Sequence, residues 1–109
     1  MLSIRDIIKS VGTEDTVVTD CYGVGILAKK EKIKNTVYAN RVAMNHVLNE
    51  LKPTILISSH YSKNTFETAI NANQDVKIYY MQDRHIGEKI DELEVMGGTT
   101  KEAVIHHLL

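Results

Sequence analysis

The fold of this chain is decided by residues 51–60, which read LKPTILISSH. Pro53 disfavours helical backbone in the residue before it, so a helix that arrives from the amino-terminal side ends there. The apolar run at 55–57 has the unbroken hydrophobic pattern typical of a strand that is covered on both faces. We therefore predict a buried strand over Thr54 to Ser59, in a sheet with helices on both sides.

Helix and strand patterns alternate around this strand. An apolar stripe at helical spacing predicts a helix over Asn40 to Leu51. Beyond the strand, Asn64 with Glu67 three residues later predicts the start of a second helix, and Val76 to Met81 has the pattern of the next strand. Such alternation is typical of parallel strands joined by helical crossovers.

The carboxyl-terminal part carries two further helix signals. Asp83 predicts the start of a helix that extends to Met96, before the glycine pair at 97–98. Thr99, with Glu102 three residues later, predicts the start of the last helix.

The amino-terminal part has a different pattern. Isoleucines at positions 4, 7 and 8 predict an amino-terminal helix at about residues 3–11. Three β-like runs follow, and only Lys-Glu-Lys separates the second from the third, which is short enough only for an antiparallel hairpin. The three predicted strands are Thr16 to Asp20, Val24 to Lys29 and Ile33 to Ala39.

Together these elements predict a single α/β domain over residues 1–109. Because a hairpin is antiparallel while helical crossovers make parallel pairs, the sheet is expected to be mixed. We predict a ribonuclease-H-like mixed sheet of about five strands with helices on both faces. In that strand order, Thr16 to Asp20 and Thr54 to Ser59 run parallel as neighbours.

Charge and hydropathy argue against nucleic-acid-binding proteins and membrane proteins. The formal net charge is -1, so the chain lacks the basic excess that drives binding to nucleic acid. No apolar run approaches the roughly 20 residues of a membrane helix, and residues 1–10 do not resemble a signal peptide. We therefore expect a cytoplasmic protein that binds neither nucleic acid nor membrane.

Two residues at predicted strand ends are candidate metal ligands. Cys21 follows the first predicted strand, and His60 follows the strand Thr54 to Ser59. Thiolate and neutral imidazole both bind transition metals, and loops at the carboxyl ends of parallel strands usually hold ligands. The alternatives are a small apolar Cys21 that fills space and a solvated loop His60. The turn near Asn64 either faces an anionic ligand with its N–H groups or is a simple helix cap.

Short strings along the chain carry a resemblance to a known family. They are Cys21-Tyr22-Gly23, residues 62–66 (SKNTF) and residues 98–104 (GTTKEAV). In these strings, from Cys21 to Leu109, the chain resembles the dinitrogenase iron-molybdenum cofactor biosynthesis family, with Cys21 at the place of the family's usual histidine.

The resemblance implies a cofactor carrier. It implies an iron-molybdenum or iron-sulfur type cluster, and a protein that donates or accepts it. Together with the strand-end argument, it leads us to predict Cys21, Tyr22, Gly23, His60 and Asn64 as cofactor-binding residues, with Cys21 and His60 as the metal ligands. Since one cysteine per chain cannot hold a cluster alone, histidines or a second copy of the chain in a homodimer would complete the ligand set.

Three functions follow from these residues. The first is a non-catalytic carrier of a metal cluster or cofactor, in which the Cys21 sulfur and a His60 ring nitrogen lie within roughly 10 Å because neighbouring strands are about 4.8 Å apart. The second is a metal-free interaction or regulatory domain of the same fold. The third is a hydrolase that uses Asp20 with Asp83, although a two-metal site needs more carboxylates than these. No catalytic residue is assigned.

Overall fold

A computed structural model describes residues 2–59, 62–80 and 94–97, which form six strands and four helices. In chain order they are β1 (Leu2–Ser3), α1 (Ile4–Ser10), β2 (Val17–Thr19), α2 (Tyr22–Lys30), β3 (Thr36–Tyr38), α3 (Met44–Leu51), β4 (Ile55–Ser58), α4 (Lys63–Ala72), β5 (Lys77–Tyr80) and β6 (Glu94–Gly97). The predicted last helix, from Thr99, lies outside the described residues. The predicted helix over Asp83 to Met96 is wrong at its end, because Glu94–Gly97 is a strand.

The strands form one sheet with the order β1-β6-β5-β4-β2-β3. The four strands β3, β2, β4 and β5 are all parallel. β6 then pairs antiparallel with β5, and β1 pairs antiparallel with β6. The protein therefore has an α/β fold built on a four-stranded parallel sheet.

Helices cover both faces of the parallel strands, as predicted. Side chains alternate along β4: Ile55 and Ile57 belong to the cluster with α1 and α2, while Leu56 belongs to the cluster with α3 and α4. The first cluster contains Ile4, Ile7 and Ile8 of α1 with Val24 and Ala28 of α2. The second contains Met44 and Leu48 of α3 with Phe66, Ala69 and Ile70 of α4. Since residues 55–58 are all buried, the prediction of a strand covered on both faces is confirmed.

The predicted hairpin, and with it the ribonuclease-H-like mixed sheet, was wrong. Val24 to Lys29 lies inside α2 rather than in a strand. Val24 and Ala28 are buried four residues apart while Ile26 between them is 52% exposed, which is helical rather than strand periodicity. Because α2 carries the chain back across the sheet, β3 pairs parallel with β2. The parallel strands, numbered along the chain, have the order 2-1-3-4.

The other predicted elements that lie wholly within the described residues are confirmed, with shifted boundaries. The amino-terminal helix is α1, the predicted strands at Thr16 to Asp20 and Ile33 to Ala39 contain β2 and β3, and β2 and β4 are parallel neighbours. α3 begins at Met44 rather than at Asn40, whose Oδ1 accepts the Ala43 N–H in a turn before the helix. In the described part of the chain, no helix is long and apolar enough to cross a membrane.

Candidate functional site

The chain leaves β2 and β4 toward opposite faces of the sheet. After β2 it enters α2, which packs with α1, and after β4 it enters α4, which packs with α3. Because these two neighbouring strands have connections on opposite sides, a crevice opens between their carboxyl ends. In doubly wound sheets this switch point is where ligands usually bind.

Asp20 joins the two strand ends across this crevice. The Ser59 N–H donates to Asp20 Oδ1 at 2.6 Å, and the Ser58 hydroxyl donates to Asp20 Oδ2 at 3.3 Å. Asp20 follows β2 directly, while Ser58 is the last residue of β4 and Ser59 the next. The carboxylate is therefore held at the switch point in a fixed orientation.

Cys21 turns away from the crevice toward the face covered by α1 and α2. Its N–H donates to the Thr19 hydroxyl at 3.1 Å, a local bond that shapes the turn between β2 and α2. Cys21 is the residue before α2, and its side chain makes no capping hydrogen bond. The half-buried free thiol packs against the first hydrophobic cluster. Cys21 thus packs as a small apolar side chain, which is the role given above as the alternative to metal binding.

A cleft of about 390 Å³ lies at this carboxyl edge of the sheet. We call it the carboxyl-edge cleft, and it is lined by Asp20, Arg41, Met44, Ser62 and Thr65. These residues come from three connections that leave the carboxyl ends of β2, β3 and β4. The parallel topology therefore assembles the cleft from parts of the chain that are distant in sequence.

The cleft combines a cation, an anion and two hydroxyl groups. Arg41 is exposed, so its guanidinium can reach a ligand without first being uncovered. Ser62 caps α4: its Oγ accepts the Thr65 N–H at 3.4 Å and its hydroxyl donates to Thr65 Oγ1 at 3.1 Å. Such a set can hold a polar ligand that carries both an anionic group and hydrogen-bond donors.

Four of the predicted cofactor-binding residues, Cys21, Tyr22, Gly23 and Asn64, lie in the described part of the chain and are not among the residues that line the cleft. Tyr22 is 67% exposed, and its ring packs edge-on against Tyr38 with 5.5 Å between centroids. Gly23 is half-buried inside α2. Asn64 Oδ1 accepts a hydrogen bond from Asn45 Nδ2 at 3.0 Å, so Asn64 links α4 to α3. The helix cap predicted at Asn64 is provided by Ser62 instead.

The predicted pairing of Cys21 with His60 stays a prediction. β2 and β4 are parallel neighbours, as that hypothesis requires, but His60 lies outside the described residues. Over residues 2–59, 62–80 and 94–97, no group of three histidine, cysteine, aspartate or glutamate side chains could hold a metal ion.

Sequence reasoning missed Arg41 and Met44 as site residues. Arg41 could have been identified from the sequence, because it follows a predicted strand almost directly, as Cys21 and His60 do. The predicted hairpin concealed this position, since it placed a further strand, Val24 to Lys29, between the strands that became β2 and β3 and so separated residue 41 from Asp20. A parallel β3 brings Arg41 to the same edge as Asp20.

A second polar cluster, at the opposite edge of the sheet, is structural. The Gly12 N–H and the Thr54 hydroxyl each donate to the Asp15 carboxylate at 2.8 Å. These two bonds, aided by the charge of Lys77, hold the pKa of Asp15 below its ordinary value. Burial, together with the negative charge of Asp15, raises the pKa of Tyr79. The cluster fastens the loop after α1 to the start of β4.

A doubly wound parallel sheet supports many unrelated functions, so function must be argued from the cleft rather than from the fold. The charged residues that line this cleft are Asp20 and Arg41. No protein-family model, curated protein or solved structure shows significant similarity to the chain.

Proposed function

We propose that this protein is a non-catalytic binding domain that holds a small phosphorylated, hydroxyl-bearing ligand, a nucleotide or a sugar phosphate, in the carboxyl-edge cleft. The observation that carries the proposal is that Arg41 and Asp20 line one cleft at the switch point of the parallel sheet. The volume of about 390 Å³ falls within the range of about 300–1,000 Å³ that is usual for small-molecule sites.

Arg41 is the group that would hold the phosphate. A guanidinium presents a planar fork of N–H donors that matches two phosphate oxygens, and such charge-assisted bonds are roughly twice as strong as neutral ones. The Thr65 hydroxyl, which accepts the Ser62 hydroxyl hydrogen, lies in the same cleft and can donate to a further oxygen. A phosphate group would therefore meet donors from two different connections.

Asp20 is the group that would select the rest of the ligand. Asp20 lines the cleft, and a carboxylate accepts hydrogen bonds from hydroxyl groups such as those of a sugar. Its negative charge disfavours a bare phosphate close by. A sugar phosphate satisfies both charges, because its phosphate reaches Arg41 while its hydroxyls reach Asp20.

Calorimetric titration with four probes tests this function: adenosine monophosphate, ribose phosphate, adenosine and inorganic phosphate. We expect the two phosphorylated sugars to bind with Kd below about 1 mM and at least about tenfold more tightly than the other two probes. Arg41→Gln should weaken that binding about tenfold or more, whereas Arg5→Gln, on α1, should leave it unchanged. Absence of binding by both sugar phosphates, or equal binding by Arg41→Gln, would overturn the proposal.

The metal-cluster carrier remains a separate prediction, favoured by the free thiol of Cys21 at the same edge of the sheet. The ribonuclease-H-like fold that the order of elements predicted is not present, so this hypothesis depends on Cys21 and His60 themselves. Anaerobic reconstitution with iron, sulfide and molybdate should give visible absorbance that Cys21→Ser loses. A colourless protein would instead favour a metal-free binding or interaction domain.

A further inference from the structure

β3 is the last strand on its side of the sheet formed by the described strands. The Asn35 carbonyl accepts the Val17 N–H at 2.8 Å, and the Ala39 N–H donates to the Thr19 carbonyl at 2.9 Å. Because main-chain groups alternate in direction along a strand, those of Val37 also face β2. The N–H and C=O groups of Thr36 and Tyr38 therefore point outward, along an edge where a further strand can pair.

Exposed apolar side chains concentrate beside this edge. Six large hydrophobic side chains are exposed in the described part of the chain, and five of them belong to β3 or to the segments on either side of it. The five are Tyr22, Ile26, Val37, Tyr38 and Val42. Clusters of this kind, surrounded by polar residues, mark protein interaction sites more often than isolated exposed residues do.

These side chains lie on both sides of the edge strand. Tyr38 turns toward α2, where its Cβ would lie 3.6 Å from a Cβ added to Gly25 and its ring contacts Tyr22. Val37, the neighbouring residue, points to the opposite face of the sheet. A strand added beside β3 would thus find an apolar contact for its side chains on each face.

The charge around β3 differs in sign from that of the whole chain. Residues 29–38 contain four lysines and one glutamate, a net charge of +3, whereas the whole chain has -1. Lys29, Lys30, Lys32 and Lys34 are all exposed, just before the strand. This positive surface complements acidic residues on a binding partner.

We propose that β3 is a docking strand for an extended segment of another protein, with alternating apolar residues and acidic flanks. The segment would bond to the outward main-chain groups of Thr36 and Tyr38, as in recognition by strand addition. A second copy of this chain fits less well, because antiparallel pairing about Val37 brings the lysines of each copy beside Arg41 of the other. Lysines beside an edge strand oppose such self-pairing. The aliphatic Ile26, Val37 and Val42 favour a peptide over nucleic acid.

The probe for this proposal is a fluorescein-labelled nine-residue peptide with valines at alternate positions and two acidic residues at each end. We expect saturable binding, at least about tenfold tighter than that of the same peptide with lysine flanks. Amide exchange at Thr36 and Tyr38 should slow on binding, whereas that of Val37, already bonded to β2, should not change. A peptide that is N-methylated at every residue of its central segment should not bind, because both of its edges then lose main-chain pairing.

Two double variants, matched in their change of charge, separate the effect of charge beside β3 from the effect of the net charge of the protein. Lys32→Glu with Lys34→Glu should weaken binding of the acidic peptide about tenfold and reverse the preference for flanks. Lys52→Glu with Lys77→Glu is the control, because it makes the same change of charge away from β3, and Lys52 shares the positive φ of Lys32. Tyr38→Pro should abolish binding, since it removes an outward N–H and leaves the bonds to β2 intact.

Four results would overturn the proposal. The first is that the acidic peptide shows no saturable binding, and the second is that it binds without protecting the amides of Thr36 and Tyr38. The third is that both amides are protected at high protein concentration without peptide. The fourth is that a uridine oligonucleotide displaces the peptide. The third would assign the edge to a second copy, and the fourth would assign it to nucleic acid. None of these readouts depends on the ligand of the carboxyl-edge cleft.

Discussion

The Ser59 N–H donates to Asp20 Oδ1 at 2.6 Å, which ties together the residues that follow two neighbouring parallel strands. Asp20 and Ser59 are far apart in sequence and meet because β2 and β4 pair in register, with Thr19 opposite Ile57. The bond spans the crevice in which a ligand is proposed to sit, so it contributes both to the stability of the sheet and to the shape of the cleft.

Asp20→Ala should lower the free energy of unfolding by about 1–2 kcal/mol, because the Ser59 N–H and the Ser58 hydroxyl lose a charged acceptor. Urea unfolding measures the loss, and amide exchange at Ser59 should become faster. Asp75→Ala, at an exposed position, should change the stability by less than about 0.5 kcal/mol. Equal effects of the two substitutions would contradict the bridging role.

Asp15→Asn should make the protein less sensitive to acid. The pKa of Asp15 is lowered in the folded state by the Gly12 N–H, the Thr54 hydroxyl and Lys77. Its stabilisation is therefore fully present above the unfolded-state pKa of about 3.9 and is lost as the pH falls through the lower folded-state value. The stability difference between wild type and variant, measured by urea unfolding, should shrink from neutral pH to about pH 2.5. A difference that is constant with pH would show that the charge of Asp15 has no role.

Ser62→Ala should destabilise the protein by about 1 kcal/mol, because the Thr65 N–H loses its cap. Asn64→Ala should cost less than about 0.5 kcal/mol, since its exposed side chain bonds only across the surface to Asn45 within the described residues. Thermal unfolding without ligand compares the two. The reverse order would mean that Asn64, as the sequence pattern suggested, is the cap.

Gly25→Ala should stabilise the protein by about 0.5–1 kcal/mol, because alanine has less backbone freedom to lose in a helix. The added Cβ would lie 3.6 Å from the Tyr38 Cβ, an ordinary contact. Urea unfolding provides the measurement. A destabilised variant would argue against the helix that replaces the predicted hairpin.

The sequence predicted most of the parallel strands but not the pairing of β2 with β3. Unbroken apolar runs such as 55–57 and capping patterns gave β4 and most helices, because burial on both faces leaves a local signature. The pattern at residues 24–28 was ambiguous, since Val24, Ile26 and Ala28 alternate as in a strand while Val24 and Ala28 also fit one helical face. Tertiary packing favours the helix, because α2 covers the buried faces of β2 and β4.

The same ambiguity decided how much of the site could be predicted. The crevice between β2 and β4 followed from the sequence, because both strands were predicted together with their parallel pairing. Arg41 could not be placed there while the segment 24–29 was predicted as a strand between β2 and β3. The packing of Cys21 against the α1 and α2 side depends on the turn made by its bond to Thr19, which has no pattern that can be read before folding.

The pairing of β1 with β6 has a consequence for the order of folding. Leu2 lies opposite Val95, so the first described strand waits for the last one to be synthesised. α1 follows β1 directly and can pack earlier, through Ile4, Ile7 and Ile8, on strands that are complete by residue 80. Closing so long a loop is slow and comes late. The outer edge beside β5 is thus the last part of the described sheet to form on a nascent chain.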